Sequence, residues 1–336
     1  MKKVSKSDPL RNALLMKIQN GLILPGEFIP SEKQLCMIYH ITRPTVRKVL
    51  QELCEMGLLE KQPGVGAVVK AQQKNGCDME KIIRIGSNSI FGGSEYYAKP
   101  LAAGIQKSPY GKHSFFSPIT IEEFTAQEYS YLDALLVSRI PSELKSEIIA
   151  YKKPVVFLNN FIKAPNIGNI YIDNFAEAKR AVDYLIKYGH QKIAIIGDAD
   201  LAGNFRVKGY EAALMENNLP ILPELYLTDP TFYSVEKIES FVKNNQFTAM
   251  FFVNGASFLN TFQVISSLLG DNFNNVQTLI FDDISKMNVF ERINAAFVRQ
   301  PLKEMGALSV EYIRRKICNP EYPVIDKCLR CNLVIK

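Results

Sequence analysis

The sequence lacks the features that mark a membrane protein, a disulfide-stapled secreted domain or a recognisable enzyme. No uninterrupted apolar run in its 336 residues approaches the roughly 20 that a bilayer-spanning helix needs. The opening stretch, MKKVSKSDPLRN, is basic but has no apolar core, so no signal peptide is expected. Six scattered cysteines form no disulfide framework and read as reduced thiols, which favours a cytoplasmic location. Cys328 and Cys331 have C-x-x-C spacing, but a zinc site needs two further ligands, and His113 and His190 sit in unrelated segments. No metal and no cofactor are expected. There is no P-loop, no G-x-S-x-G and no His–Asp–Ser set at recognisable spacing, so no catalytic residue is nominated.

What is present is a large apolar fraction, 47%, enough for a sizeable core. The length suggests two or three domains. Charge is unevenly spread: residues 1–72 hold 11 basic and 6 acidic side chains, and the remainder is almost neutral. A basic head on a neutral body suggests nucleic-acid binding, although a solvated basic surface would look the same from charge alone.

The head reads as three helices and a hairpin. Asp8 and Pro9 open the first helix, Gly21 ends it, and Leu10, Ala13, Leu14 and Ile18 form its apolar stripe. Ser31 and Gln34 have capping-box spacing at the start of the second, with Leu35 and Ile38 expected to face inward. Thr42 caps the third, so Pro44 falls in the first turn, where a missing N–H costs little. Val46, Val49, Leu50, Leu53 and Met56 then form the buried stripe, leaving Arg43, Thr45, Arg47 and Lys48 off it. LLEKQ-PGVG-AVVK, with Gly64 and Gly66 in the turn, makes a two-stranded wing. A short helix pair whose second member carries exposed basic and hydroxyl groups is a helix-turn-helix. The alternative for the arginines is pairing with Glu52 or Glu55 on the surface.

After a polar stretch at 71–81, read as a linker, the pattern changes. Short apolar runs (IIRIGS, DALLVS, PVVFLNN, IYID, KIAIIGD, AMFFVN, VQTLIFDD and NAAFVR) alternate with amphipathic segments. Alternating strands and helices imply βαβ units and parallel sheets, here enough for two lobes. The fold class expected is therefore α/β, a winged helix followed by a two-lobed domain. Many strands end in polar residues, among them Asn88, Asn159, Asp173, Asn254 and Asp282. Ligands of open α/β sheets bind beyond the carboxyl ends of strands. Any one such residue could instead cap the next helix.

Residues 8–70 resemble the winged helix of the GntR family, through G-LILPGEFIPSEKQL, ITRPTVRKVLQELCEMGLLE and GVGAVV. That resemblance implies that Arg43 and Arg47 touch DNA, and Ser31, Thr42, Thr45, Lys48, Gly64 and Gly66 are expected to face double-stranded operator DNA with them. Pro44 and Lys48 depart from the family pattern on or near the reading face, so no operator sequence carries over. Residues 81–336 resemble the effector domain of LacI/GalR-type repressors, related to periplasmic sugar-binding proteins. YIDNFAEAKRAVDYLIKYGHQKIAIIGD, NFRVKGYEAALMENN, VQTLIFDD and FVRQPLKEMGALSVEYI carry the likeness. It implies an effector site built from Asn88, Tyr96, Asn159, Asp173, Arg206, Tyr233, Asn254, Asp282 and Gln300. The fusion resembles bacterial arabinose repressors. Domains are expected at 1–70, 71–81 and 82–336, in a cytoplasmic homodimeric regulator released from DNA by a sugar. Two other readings remain: an α/β sugar-phosphate or nucleotide-sugar enzyme with a DNA-binding head, and a free-standing sugar-binding protein.

Overall fold

The computed structural model describes residues 8–19, 23, 26–55, 57–62, 65–70, 81–91, 95–122, 124–138, 140–159, 161–198, 201–229, 233–287, 293 and 295–335. Gly21, Met56, Gly64 and residues 71–80 of the expected linker lie outside that set. Contacts divide the chain into two compact units: Met1–Met79 with Arg315–Ile325, and Glu80–Arg314 with Asp326–Lys336.

The first unit holds helices α1 (Asp8–Gln19), α2 (Glu32–Tyr39) and α3 (Arg43–Glu55) and strands β1 (Leu59–Gln62) and β2 (Gly66–Val69). Each helix buries one stripe. Leu10, Leu14 and Ile18 meet Leu35, and Val46, Val49, Leu50 and Leu53 close the core with Leu58, Leu59, Ala67 and Val69. Ser31 accepts from the Gln34 N–H, and the Gln34 side chain accepts from the Ser31 N–H, which closes the capping box. Ile38 corrects the sequence reading, because it is 60% exposed. Leu35 is the fully buried residue of this short helix, and Cys36 and Tyr39, half-buried, pack against the core beside it. β1 and β2 pair antiparallel, and the hairpin is held at its base by Ile29 donating to Ala67 O.

The second unit contains two six-stranded sheets. Its strands and helices run β3 (Ile83–Ser87), α4 (Ala98–Lys107), β4 (Ser114–Pro118), β5 (Ala134–Val137), α5 (Lys145–Ala150), β6 (Val155–Leu158), β7 (Ile167–Ile172), α6 (Asn174–Lys187), β8 (Ile193–Ile196), α7 (Leu201–Glu216), β9 (Tyr226–Leu227), α8 (Val235–Asn244), β10 (Ala249–Phe252), α9 (Gly255–Leu269), β11 (Gln277–Phe281), β12 (Ala295–Arg299), α10 (Leu302–Cys318), β13 (Asp326–Leu329) and β14 (Asn332–Ile335). Lobe A is the sheet ordered β13-β7-β6-β5-β3-β4, and lobe B the sheet β14-β12-β11-β10-β8-β9. All pairings are parallel except β12 with β14. Central strands such as β5, β6, β8 and β10 are buried at every position, as expected of parallel strands covered on both faces.

The chain changes lobe three times: from β7 into α6 and β8, from β12 into α10, and from β13 to β14. At the third change lie the C-x-x-C cysteines. Cys328 is exposed on β13 and Cys331 is buried between the strands, where burial pushes its thiol up to about 12. Glu177 accepts from the Cys331 N–H, and Arg180 donates to its carbonyl, so this turn is tied to α6. Cys36, Cys54, Cys328 and Cys331 carry free thiols. No described helix is long and apolar enough to cross a membrane.

Candidate functional site

On the first unit, α3 presents a polar face. Arg43, Pro44, Arg47 and Lys48 are exposed, while the opposite stripe is buried. Thr42 O accepts the first helical bond from the Val46 N–H, and the Thr42 and Thr45 hydroxyls bond at 3.0 Å. Arg47 is held by the two oxygens of Glu32 on α2, at 3.0 and 3.1 Å, and not by Glu52 or Glu55. Glu52 instead pairs with Arg11, and Glu55 accepts from Gln51. The single Nε–H, shared between the two carboxylate oxygens, presets the arginine's direction on the exposed face. Ser31 serves as the α2 cap, and Gly66 opens β2 at φ +144°. This face can donate to phosphate oxygens and base edges.

On the second unit, both lobes converge on one buried polar network. Asp282 follows β11 at φ +122°, a strained backbone for a non-glycine residue. Its carboxylate accepts from the Gly255 N–H at 2.9 Å and from Gln300 Nε2 at 2.5 Å. Burial raises its pKa, opposed by the nearby Arg206 charge and these two donors. Arg206 is reached because α7 packs closely on α6: a Cβ on Gly209 would lie 2.4 Å from Phe175 O. Its guanidinium lies 3.7 Å above the Phe281 ring and donates to Asn174 Oδ1 at 2.8 Å and Val253 O at 2.6 Å. From lobe A comes Asn159, at φ +54° after β6, donating to Gln300 Oε1 at 2.8 Å and to the Tyr97 hydroxyl at 3.1 Å. Burial pushes the Tyr97 phenol up to about 12. Asn159 Oδ1 is buried with no hydrogen-bond partner. An orphaned buried acceptor of this kind suits a hydroxyl donor from a ligand.

A cavity of about 670 Å³ adjoins the network, lined by Tyr96, Lys99, Asp282, Arg299 and Gln300 among others. That volume is in the range of small-molecule sites. Thus Asn159, Asp282 and Gln300 share one hydrogen-bonded network, the Arg206 charge acts on its Asp282 end, and Tyr96 lines the cavity beside it.

The other candidates lie elsewhere or serve locally. Asp173 is exposed and caps α6 through the Ala176 N–H. Asn254 caps α9, accepting from Ser257 N–H and Oγ. Asn88 Oδ1 accepts from the Ser138 N–H, binding the ends of β3 and β5 together. Tyr233 is 56% exposed and lines a separate shallow depression with Asn260. Sequence reasoning missed Tyr97 and Phe281. Tyr97 was discoverable as the second tyrosine of EYYAK before an amphipathic helix. Phe281 was not, because it acts by orienting Arg206.

Residues 6–69 match the family described as bacterial regulatory proteins, gntR family. Residues 130–227 match periplasmic binding proteins and the sugar binding domain of the LacI family. The chain therefore joins a gntR-type DNA-binding domain to a LacI-type periplasmic-binding domain. Among its relatives is the arabinose metabolism transcriptional repressor of Geobacillus stearothermophilus, 23% identical over 341 residues that cover 95% of this chain and 92% of the relative. The repressor of the same description from Halalkalibacterium halodurans is 24% identical over 251 residues. That match covers 68% of this chain and 65% of the relative, just under two thirds of its length. Among solved structures, the complex of transcriptional regulator CelR with cellobiose matches all of this chain and 99% of the other, with a TM-score of 0.61 and 15% identity. That likeness is one of fold.

Proposed function

We propose that this chain is a ligand-responsive transcriptional regulator that binds operator DNA through α3 and the wing and binds a sugar between lobes A and B. The observation that carries this reading is the interlobe network. Donors and acceptors from both lobes meet around a buried acceptor, Asn159 Oδ1, that has no partner. Mixed donors and acceptors beside the Tyr96 ring suit a polyhydroxylated ring, whose hydroxyls need both and whose C–H face needs cover. The similarity to arabinose repressors and to a cellobiose-binding regulator supports the same choice. Two such chains reading a pseudo-palindrome would form a cytoplasmic homodimer, with the sugar as inducer of a repressor. The enzyme reading has no recognisable catalytic sequence motif behind it, and the relatives named above are regulators.

A thermal-shift screen against pentoses, hexoses, uronates, sugar phosphates and disaccharides tests the sugar reading. A ligand at 100 times its dissociation constant stabilises by about 2.7 kcal/mol. Binding without turnover supports it, and turnover of any panel member would replace it with the enzyme.

A further inference from the structure

We infer that Arg314 is the positioning residue that ties the state of the interlobe site to the start of the effector unit, where the linker enters. This inference rests on the regulator reading above. Arg314 is the last residue of the second unit on α10 and is only 1% exposed. Its guanidinium spends two donors on backbone: Nη1 reaches Lys81 O at 2.8 Å, and Nη2 reaches His113 O at 2.9 Å. Lys81 is the first described residue after 71–80, and β3 starts two residues later. A side chain that grips the carbonyl there sets where the chain enters lobe A.

The other end of the same helix starts in the site. Gln300, bonded to Asn159 and Asp282, is followed by Pro301 and then by α10. From Leu302 to Arg314 is roughly 18 Å at about 1.5 Å per residue. The first turns of that helix have little freedom to absorb a displacement. A Cβ on Gly306 would lie 2.2 Å from Leu101 O, and one on Gly104 would lie 2.0 Å from Lys303 O. Helices α4 and α10 thus touch backbone to backbone. α4 itself begins just after Tyr97, whose hydroxyl accepts from Asn159. The two helices form one stiff body with both N-termini at the network and Arg314 at its far end. Movement of Gln300 is therefore carried to Lys81 as a rigid displacement, and the fork of an arginine can hold both carbonyls while it moves.

The test reads amide hydrogen exchange over residues 81–87 in the full chain, for wild type, Gln300→Ala, Arg314→Lys and the double variant. No ligand is needed, because Gln300→Ala itself breaks the network. Melting temperature and far-ultraviolet circular dichroism establish that each variant is folded. Arg314→Met is carried alongside in case the lysine variant does not fold. If both fail, exchange in wild type and Gln300→Ala still decides whether the site is felt at Lys81. Gln300→Ala is expected to change exchange at 81–87 by about tenfold in wild type and by much less when Arg314 is replaced. Equal changes in both backgrounds would mean that the segment is reached by another route. No change in wild type would mean that the site and the linker entry are not joined. Either result overturns the inference. Failure of the regulator reading is separate: it would show as no sugar binding and no operator binding, whatever the exchange pattern.

Discussion

Asn159 of lobe A donates to Gln300 Oε1 at 2.8 Å, and Gln300 donates through Nε2 to Asp282 of lobe B. One side chain on a lobe-crossing segment thus joins the two halves of the site. Gln300→Leu removes both bonds and leaves a buried amide and a buried carboxylate short of a partner. Each such group costs about 1–3 kcal/mol. The variant is expected to melt lower than wild type without ligand and to bind the sugar more weakly, as calorimetric melts and isothermal titration would show.

Arg206 is fixed by Asn174, Val253 O and the Phe281 ring. Its replacement by alanine is expected to leave ligand oxygens without a donor in a buried site, worth about 1.5–3 kcal/mol, or ten- to a hundredfold in effector affinity. Arg206→Lys is expected not to rescue, because an ammonium cannot reproduce the planar fork or stack as well on phenylalanine. Operator affinity without effector should stay at the wild-type value in gel shifts.

Arg47 and Lys48 differ in how they are held. Arg47 is aimed by Glu32, whereas Lys48 is an exposed point charge. Arg47→Ala is expected to weaken specific DNA binding by about 1–3 kcal/mol and to relax sequence preference. Lys48→Ala should weaken specific and non-specific DNA alike and reduce the slope of log K against log salt by about one. Binding to specific and scrambled duplexes across a salt series separates the two.

Burial holds the Tyr97 phenol at about 12, above its ordinary 10.0, and raises Tyr151 to about 12 as well. A raised acid favours its neutral form in the fold. The associated stability is complete below pH 10 and is lost as pH climbs towards 12. Melting temperature should fall across that interval, with tyrosinate absorbance rising as the protein unfolds. Tyr97→Phe should make the decline shallower.

Much of this fold was legible in the sequence because local signals agreed. Asp8-Pro9, the Ser31 capping box and the Val46, Val49, Leu50, Leu53 stripe each mark a helix by themselves, and the eight apolar runs are all strands. What escaped were strands lacking a continuous apolar run. β4 is a half-exposed edge ending in Pro118, and β13 and β14 adjoin a C-x-x-C pair, whose first cysteine lies on β13, that draws attention to metal chemistry. Strand-closing polar residues can be read from the sequence, and at Asn159 and Asp282 they enter the interlobe network. At Asp173 and Asn254 the same residue types cap helices, and the two roles leave identical sequence marks. Arg314 was invisible for another reason: its partners are backbone carbonyls more than 200 residues away, which no spacing encodes.

The most direct test of the regulator reading is operator release. A duplex selected by the wild-type protein from a random pool is labelled, and fluorescence anisotropy follows its release as the sugar with the largest thermal shift is added. Wild type is expected to let go of the duplex at sugar concentrations where it is saturated in isothermal titration. Arg206→Ala should hold the same duplex with equal affinity and need about ten to a hundred times more sugar to release it. Saturation of wild type with sugar and no change in operator affinity would contradict the reading.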